Sequence, residues 1–100
     1  MGKKVRGIRG ATTVEQDDKE EIKKATKELF DLLLRENDIF PSEIVGVFIT
    51  ATPDLHSTFP AEVIREREEF RYVPLLCTQE MKVEGALEKC IRLLVLAYTD

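Results

Sequence analysis

The chain predicts an α+β fold, a small mixed β-sheet with helices on one face, built as a single domain over residues 1–100. Three observations carry this expectation. Runs of strand length occur at 4–9, 44–52, 72–77 and 90–98, the last three largely apolar. One long stretch between the first two has helical periodicity, and a shorter amphipathic stretch precedes the third. The element order is therefore β-α-β-α-β-β.

Each element has its own sequence logic. In KVRGIR (4–9), Val5, Gly7 and Arg9 share one face, and Arg6 and Ile8 the other. Gly10 is read as the start of a turn through Ala11, Thr12 and Thr13. The run DDKEEIKKATKELFDLLLREN places Ile22, Ala25, Leu29, Leu32 and Leu33 on one helical stripe. Asp17 and Asp18 are candidate N-caps, with Glu20 and Glu21 three residues on in capping-box register. Asn37 and Asp38 end the helix, and Pro41 blocks its continuation.

IVGVFITAT (44–52) reads as a buried strand that Pro53 stops, and PDLHSTFP as an irregular loop. AEVIREREEF (61–70) fits a short helix packing through Val63, Ile64 and Phe70. YVPLLC (72–77) carries Pro74, which marks an edge strand or a bulge. After the connector QEMKVEGALEKC comes CIRLLVLAY (90–98), with the composition of a strand buried on both faces except at Arg92. Helices on one side leave the other sheet face rather apolar, and such a face on a small domain usually meets another subunit. A chain of 100 residues buries only roughly two-thirds of its unfolded surface, so association is a natural supplement to its core.

Net charge is −4 and the pI about 5.1, which argues against nucleic acid as the main partner. The basic start (Lys3, Lys4, Arg6 and Arg9) is too short to change that balance. No apolar stretch approaches the length of a membrane span, and no signal-peptide core is present, so a cytoplasmic location is expected. Cys77 and Cys90 lack metal-ligand spacing and are expected reduced.

Three arginines draw attention. Arg92 interrupts an apolar strand whose same-side neighbours Cys90, Leu94 and Leu96 offer it no anion. A guanidinium removed from water needs a well-placed partner, so Arg92 either pairs with a structural carboxylate or awaits a ligand. Arg9 sits near a strand end, and Arg65 on the short helix after the 53–60 loop; each is equally readable as an exposed charge or a structural ion pair. Two strand arginines suit a dicarboxylate, because guanidinium forks match carboxylates bidentately. Glu80, by itself, reads as a loop carboxylate, and Cys77 as a small buried hydrophobe without a neighbouring base. His56 is the only histidine, and no triad, metal cluster or phosphate loop is present in the sequence.

The segments GIRGATTVE (Gly7–Glu15), TATPDLHSTFPA (Thr50–Ala61), YVPLLCTQEM (Tyr72–Met81) and GALEKCIRLL (Gly85–Leu94) resemble the trimeric, non-helical class of chorismate mutase, in the right order and across nearly the whole chain. The resemblance implies conversion of chorismate to prephenate, with no cofactor and no metal. It implies a homotrimer whose sheets form a pseudo-barrel, with active sites at subunit interfaces. By resemblance Arg9 binds a substrate carboxylate, and Arg92 faces the ether oxygen of the breaking bond and a carboxylate. Phe59 and Ala61 belong to an apolar wall, Arg65 is a mobile residue near the entrance, and Cys77 and Glu80 contact the ring hydroxyl. Leu76 and Thr78 are implied in the same pocket, Leu76 standing where the family pattern suggests threonine. By the same resemblance, family members carry a further strand and a carboxylate-binding tyrosine at positions beyond residue 100. Two other readings stand beside this one. An imine/enamine deaminase-like trimer also places an arginine in an interfacial cleft, although GIRGAT and CxQEM count against it; the second is a non-catalytic trimer that binds small carboxylates.

Overall fold

The computed structural model describes residues 2–100. Its elements are β1 (Lys4–Thr13), α1 (Lys19–Glu36), β2 (Ile44–Ala51), α2 (Glu62–Arg65), β3 (Leu75–Gln79) and β4 (Cys90–Thr99), with short 3₁₀ turns at Pro41–Glu43 and Glu68–Phe70. The sheet order is β1-β4-β2-β3; β4 runs antiparallel to both β1 and β2, and β2 runs parallel to β3. This is the expected small mixed sheet.

Helix α1 begins where Asp18 accepts the Glu21 amide at 3.0 Å. The expected capping box does not close. The Glu21 carboxylate reaches past the cap to the backbone amides of Glu15 and Gln16. Asp17 is not a cap at all, since its carboxylate accepts the backbone amides of His56 and Ser57, each at 3.0 Å, and so anchors the 53–60 loop.

The helix buries Ile22, Thr26, Leu29, Phe30, Leu33 and Leu34. Leu32, assigned to the stripe from its spacing, is 41% exposed, and Phe30 takes the central position, meeting Phe70 edge-on at 4.9 Å. The buried Thr26 hydroxyl donates to the Ile22 carbonyl, which satisfies it within its own helix. Across the interface lie Val47 and Ile49 of β2 and Ile91, Leu93, Val95 and Ala97 of β4. Gly10 permits the close approach of α1 to β1: a Cβ there would stand 3.0 Å from a Leu29 methyl and 3.1 Å from one of Leu33.

Three boundaries differ from expectation. Residues 10–13 are not a turn, because Gly10 to Thr13 continue the ladder against Leu93 to Cys90. The third strand starts at Leu75 and lies at the sheet edge, so Pro74 precedes the strand instead of interrupting it. The 61–70 helix stops at Arg65, whose guanidinium donates to the carbonyls of Phe70, Arg71 and Val73 and folds the following turn back; Val63, Ile64 and Phe70 are nonetheless buried.

Strand β4 also corrects the reading of its burial. Ile91, Leu93, Val95 and Ala97 are buried, while Arg92, Leu94 and Tyr98 on the alternate positions are exposed. Within one chain the sheet has a covered face and an open one, and Arg92 stands on the open one.

Replacing Phe30 with alanine should destabilise the fold by about 3–5 kcal/mol, as for a large aromatic in a packed core. Leu32→Ala should stay within about 1 kcal/mol in the same urea titration. Equal midpoints for the two variants would contradict this placement of the core.

Candidate active site

Strand register decides which side chains meet on the open face. Ala11 of β1, Arg92 of β4, Thr50 of β2 and Thr78 of β3 form one row across the sheet. Arg9, Leu94, Phe48 and Leu76 form the next. Arg9 is thus the diagonal neighbour of Arg92, within reach of a shared ligand. Glu80 lies one residue past β3, and its amide extends the ladder to the Ala51 carbonyl at 3.0 Å. Arg9, Ala11, Phe48, Thr50, Glu80, Arg92 and Leu94 line a shallow cleft of about 700 Å³.

Within that cleft the Arg92 Nε–H donates to both Glu80 oxygens, at 2.9 and 3.2 Å. The anion missing from the sequence neighbours of Arg92 therefore arrives from the end of another strand. The two terminal nitrogens of Arg92 have no hydrogen-bond partner among the described residues, and no ion pair there includes Arg9. The Thr50 hydroxyl donates to Glu80 Oε2 at 3.1 Å. Arg9, Arg92 and Glu80 together carry a net charge of +1 on the wall of the cleft.

The other implied residues form a second group. Phe59, 73% exposed, Cys77 and Thr78 line a separate cavity of about 560 Å³ with Leu55 and residues of the 53–60 loop. Alternation along β3 sends Cys77 toward the helical layer, where it and Ala61 pack on the core, while Leu76 and Thr78 stand in the open-face rows. Burial pushes the Cys77 thiol above its ordinary value, against a smaller opposite pull from the Ala61 backbone, so it is a neutral thiol. Both cysteines are free. Arg65 joins neither group, being tied to its three carbonyls.

The family model described as "Chorismate mutase type I" matches residues 5–100. The chain belongs to that family. It is 50% identical over 96 residues to the chorismate mutase AroH of Bacillus subtilis (strain 168), covering 96% of this chain and 76% of that protein. It is 48% identical over 97 residues to the chorismate mutase AroH of Thermus thermophilus, covering 96% of this chain and 79% of that one. Among solved structures, a chorismate mutase from Clostridium thermocellum superposes with a TM-score of 0.92 at 36% identity, covering 96% of this chain and 85% of that chain.

For a type I chorismate mutase chain, the residues that sequence reasoning overlooked are polar ones at and just past the end of β2. Thr50 touches Glu80, while Thr52 ties two elements together. The Thr52 hydroxyl donates to Asp54 at 2.5 Å and accepts the Cys90 amide at 3.0 Å. Asp54 also accepts the amide of Lys89, a residue held at φ 48°. This knot fixes the start of β4, two residues before Arg92. The available signal was the alternation of threonines in ITAT, polar residues two apart on an otherwise apolar strand.

The Thr52 hydroxyl holds the Asp54 carboxyl below its ordinary pKa, outweighing burial, and the Lys89 amide assists. A depressed folded pKa contributes stability above the unfolded value of about 3.9, lost as pH falls through the folded value. Asp54→Asn should therefore lower the melting temperature at neutral pH, and the gap to the parent should shrink as pH drops below about 4. A gap independent of pH would show that the carboxylate's charge is not what the knot uses.

Proposed function

We propose that the chain catalyses the rearrangement of chorismate to prephenate, an isomerase step on the route to phenylalanine and tyrosine. The observation that carries this reading is the convergence of Arg9 and Arg92 on one cleft beside a fixed carboxylate, with the terminal donors of Arg92 left for a ligand.

The reaction is unimolecular: a C–O bond breaks, a C–C bond forms, and electron pairs move within the substrate without proton transfer. Two effects accelerate it. Arg9 and Arg92, gripping the substrate carboxylates, hold the enolpyruvyl arm in its compact conformer. Arg92 then meets charge growing on the ether oxygen. About 0.3 of a charge at roughly 3 Å, with an effective dielectric of roughly 10–20, gives about 1.7–3.3 kcal/mol, or roughly 20- to 250-fold in rate. Only this increment counts, because attraction already present in the ground state tightens binding alone. Glu80 accepts a hydrogen bond from the ring hydroxyl and favours positive charge developing on the ring; it is a positioned acceptor and takes no proton.

The partner is a second and third copy of the chain. Arg9, Glu80 and Arg92 occupy the open face, whereas Phe59, Ala61 and Cys77 line the opposite side of β3, and Leu76 and Thr78 rim the strand between them. A homotrimer supports both groups in one pocket if each site takes the arginines from one chain and the apolar wall from its neighbour. The open face supplies apolar area for such packing through Phe48, Leu76, Leu94 and Tyr98, all exposed in the single chain. Arg65 enters the pocket mouth only by leaving its carbonyls. The location proposed here is cytoplasmic; no helix among the described residues is long and apolar enough to cross a membrane.

Arg92→Lys should fold normally and lose about tenfold or more in kcat, because a flexible ammonium keeps the charge but does not reproduce the guanidinium fork. Ultraviolet absorbance of chorismate follows the loss, and near-parental turnover would overturn the assigned role. Sedimentation equilibrium should return three times the 11.5 kDa chain mass. A trimer that binds dicarboxylates but leaves the chorismate absorbance unchanged would favour the non-catalytic carboxylate binder.

A further inference from the structure

A carboxylate beside a guanidinium ordinarily takes two parallel hydrogen bonds, from two nitrogens of the fork. Glu80 does otherwise. Both its oxygens accept from the single Nε of Arg92, and neither reaches a terminal nitrogen. Something holds the carboxylate in this less natural pose. Glu80 stands past the last residue of an edge strand, on a side chain with several rotors, so its own backbone does not fix it.

The neighbour that does so is Thr50. It lies on β2, an interior strand of the sheet, paired to Arg92 on one side and to Thr78 on the other. Its hydroxyl donates to Glu80 Oε2 at 3.1 Å. As a β-branched residue on a strand laddered on both edges, threonine presents that hydroxyl from a stiff rotamer.

We propose that Thr50 is a positioning residue for the rearrangement: its hydroxyl restrains Glu80 to the Nε side of Arg92 and keeps both terminal nitrogens open to substrate. This rests on the isomerase reading above and deepens it. Without the hydroxyl, Glu80 is free to swing into the ordinary fork and occupy a terminal donor that the ether oxygen and carboxylate require. The contact the Thr50 hydroxyl makes is to Glu80, so the role assigned to it is exerted through the Glu80–Arg92 pair.

Three variants test this. Thr50→Val keeps the shape and strand preference and removes the donor, whereas Thr50→Ser keeps the donor. The Val variant should melt with the parent and lose about tenfold in kcat, the rate equivalent of one hydrogen bond, with a smaller change in KM. The Ser variant should recover to within about twofold, less than one lost hydrogen bond would take. The Arg92 Nε–H resonance in a ¹⁵N spectrum should shift in Thr50→Val and keep its position in Thr50→Ser, with Glu80→Gln as the reference for a disturbed pair. A Val variant with parental kcat and an unmoved resonance overturns the proposal, as do equal losses in Val and Ser. If the parent itself leaves chorismate unchanged, the isomerase reading fails, and the resonance alone still decides whether Thr50 holds the pair.

Discussion

All ten residues of β1 pair with all ten of β4, while the opposite edge of β4 pairs with β2. That double pairing is the constraint on which the remaining geometry depends. A strand laddered on both sides cannot slip by one residue without exchanging its two faces. Ile91, Leu93, Val95 and Ala97 are committed to the core beneath α1, so Arg92 and Leu94 are committed to the opposite side. The same register carries Arg9 from β1 and Thr50 from β2 to flank Arg92. The hydrophobic core thus orients the charged cleft, although the two share no side chain on β4.

The fold was legible to the extent that it is written in local periodicity. Helix α1, the element order and the edge position of β3 follow from apolar spacing and from Pro74. Misreadings occurred where a partner distant in sequence decided the outcome. Gly10 looks like a turn residue, yet it lies mid-ladder because a glycine is what lets Leu29 and Leu33 approach β1. Leu32 and Phe30 sit only two positions apart on α1, and it is Phe30 that turns inward to meet Phe70 from a distant part of the chain. Asp17 resembles a helix cap in sequence, but the amides it meets belong to His56 and Ser57.

The site was legible in its residues more than in its geometry. Arg9, Glu80 and Arg92 were picked out by chemistry and resemblance, and the register brings them into one cleft. Sequence alone could not reveal that Glu80 already answers Arg92, because the pair is formed across strands. Nor could it separate Glu80 from Cys77: three residues apart, they look like one cluster, yet strand alternation turns them to opposite sides of the sheet. Thr50 went unremarked because a hydroxyl carries no charge to signal itself.

The Arg92–Glu80 pair is half open to solvent in the single chain, with the two side chains 50% and 23% exposed. A pair so placed contributes about 0–1 kcal/mol to stability, too little to account for an arginine on an otherwise apolar strand face. Its value lies in what happens when the face is covered. In the proposed trimer a neighbouring subunit excludes water from the cleft, and the effective dielectric falls. Halving it from about 20 to about 10 doubles the attraction between Arg92 and a developing oxygen charge. Burial also makes an unpaired guanidinium costly; Glu80 at Nε offsets part of that cost, and in the proposed site substrate at the terminal nitrogens would offset the rest. On this proposal assembly and catalysis draw on the same surface: the apolar residues beside Arg92 would bring in the neighbour, and the neighbour would make the charge effective.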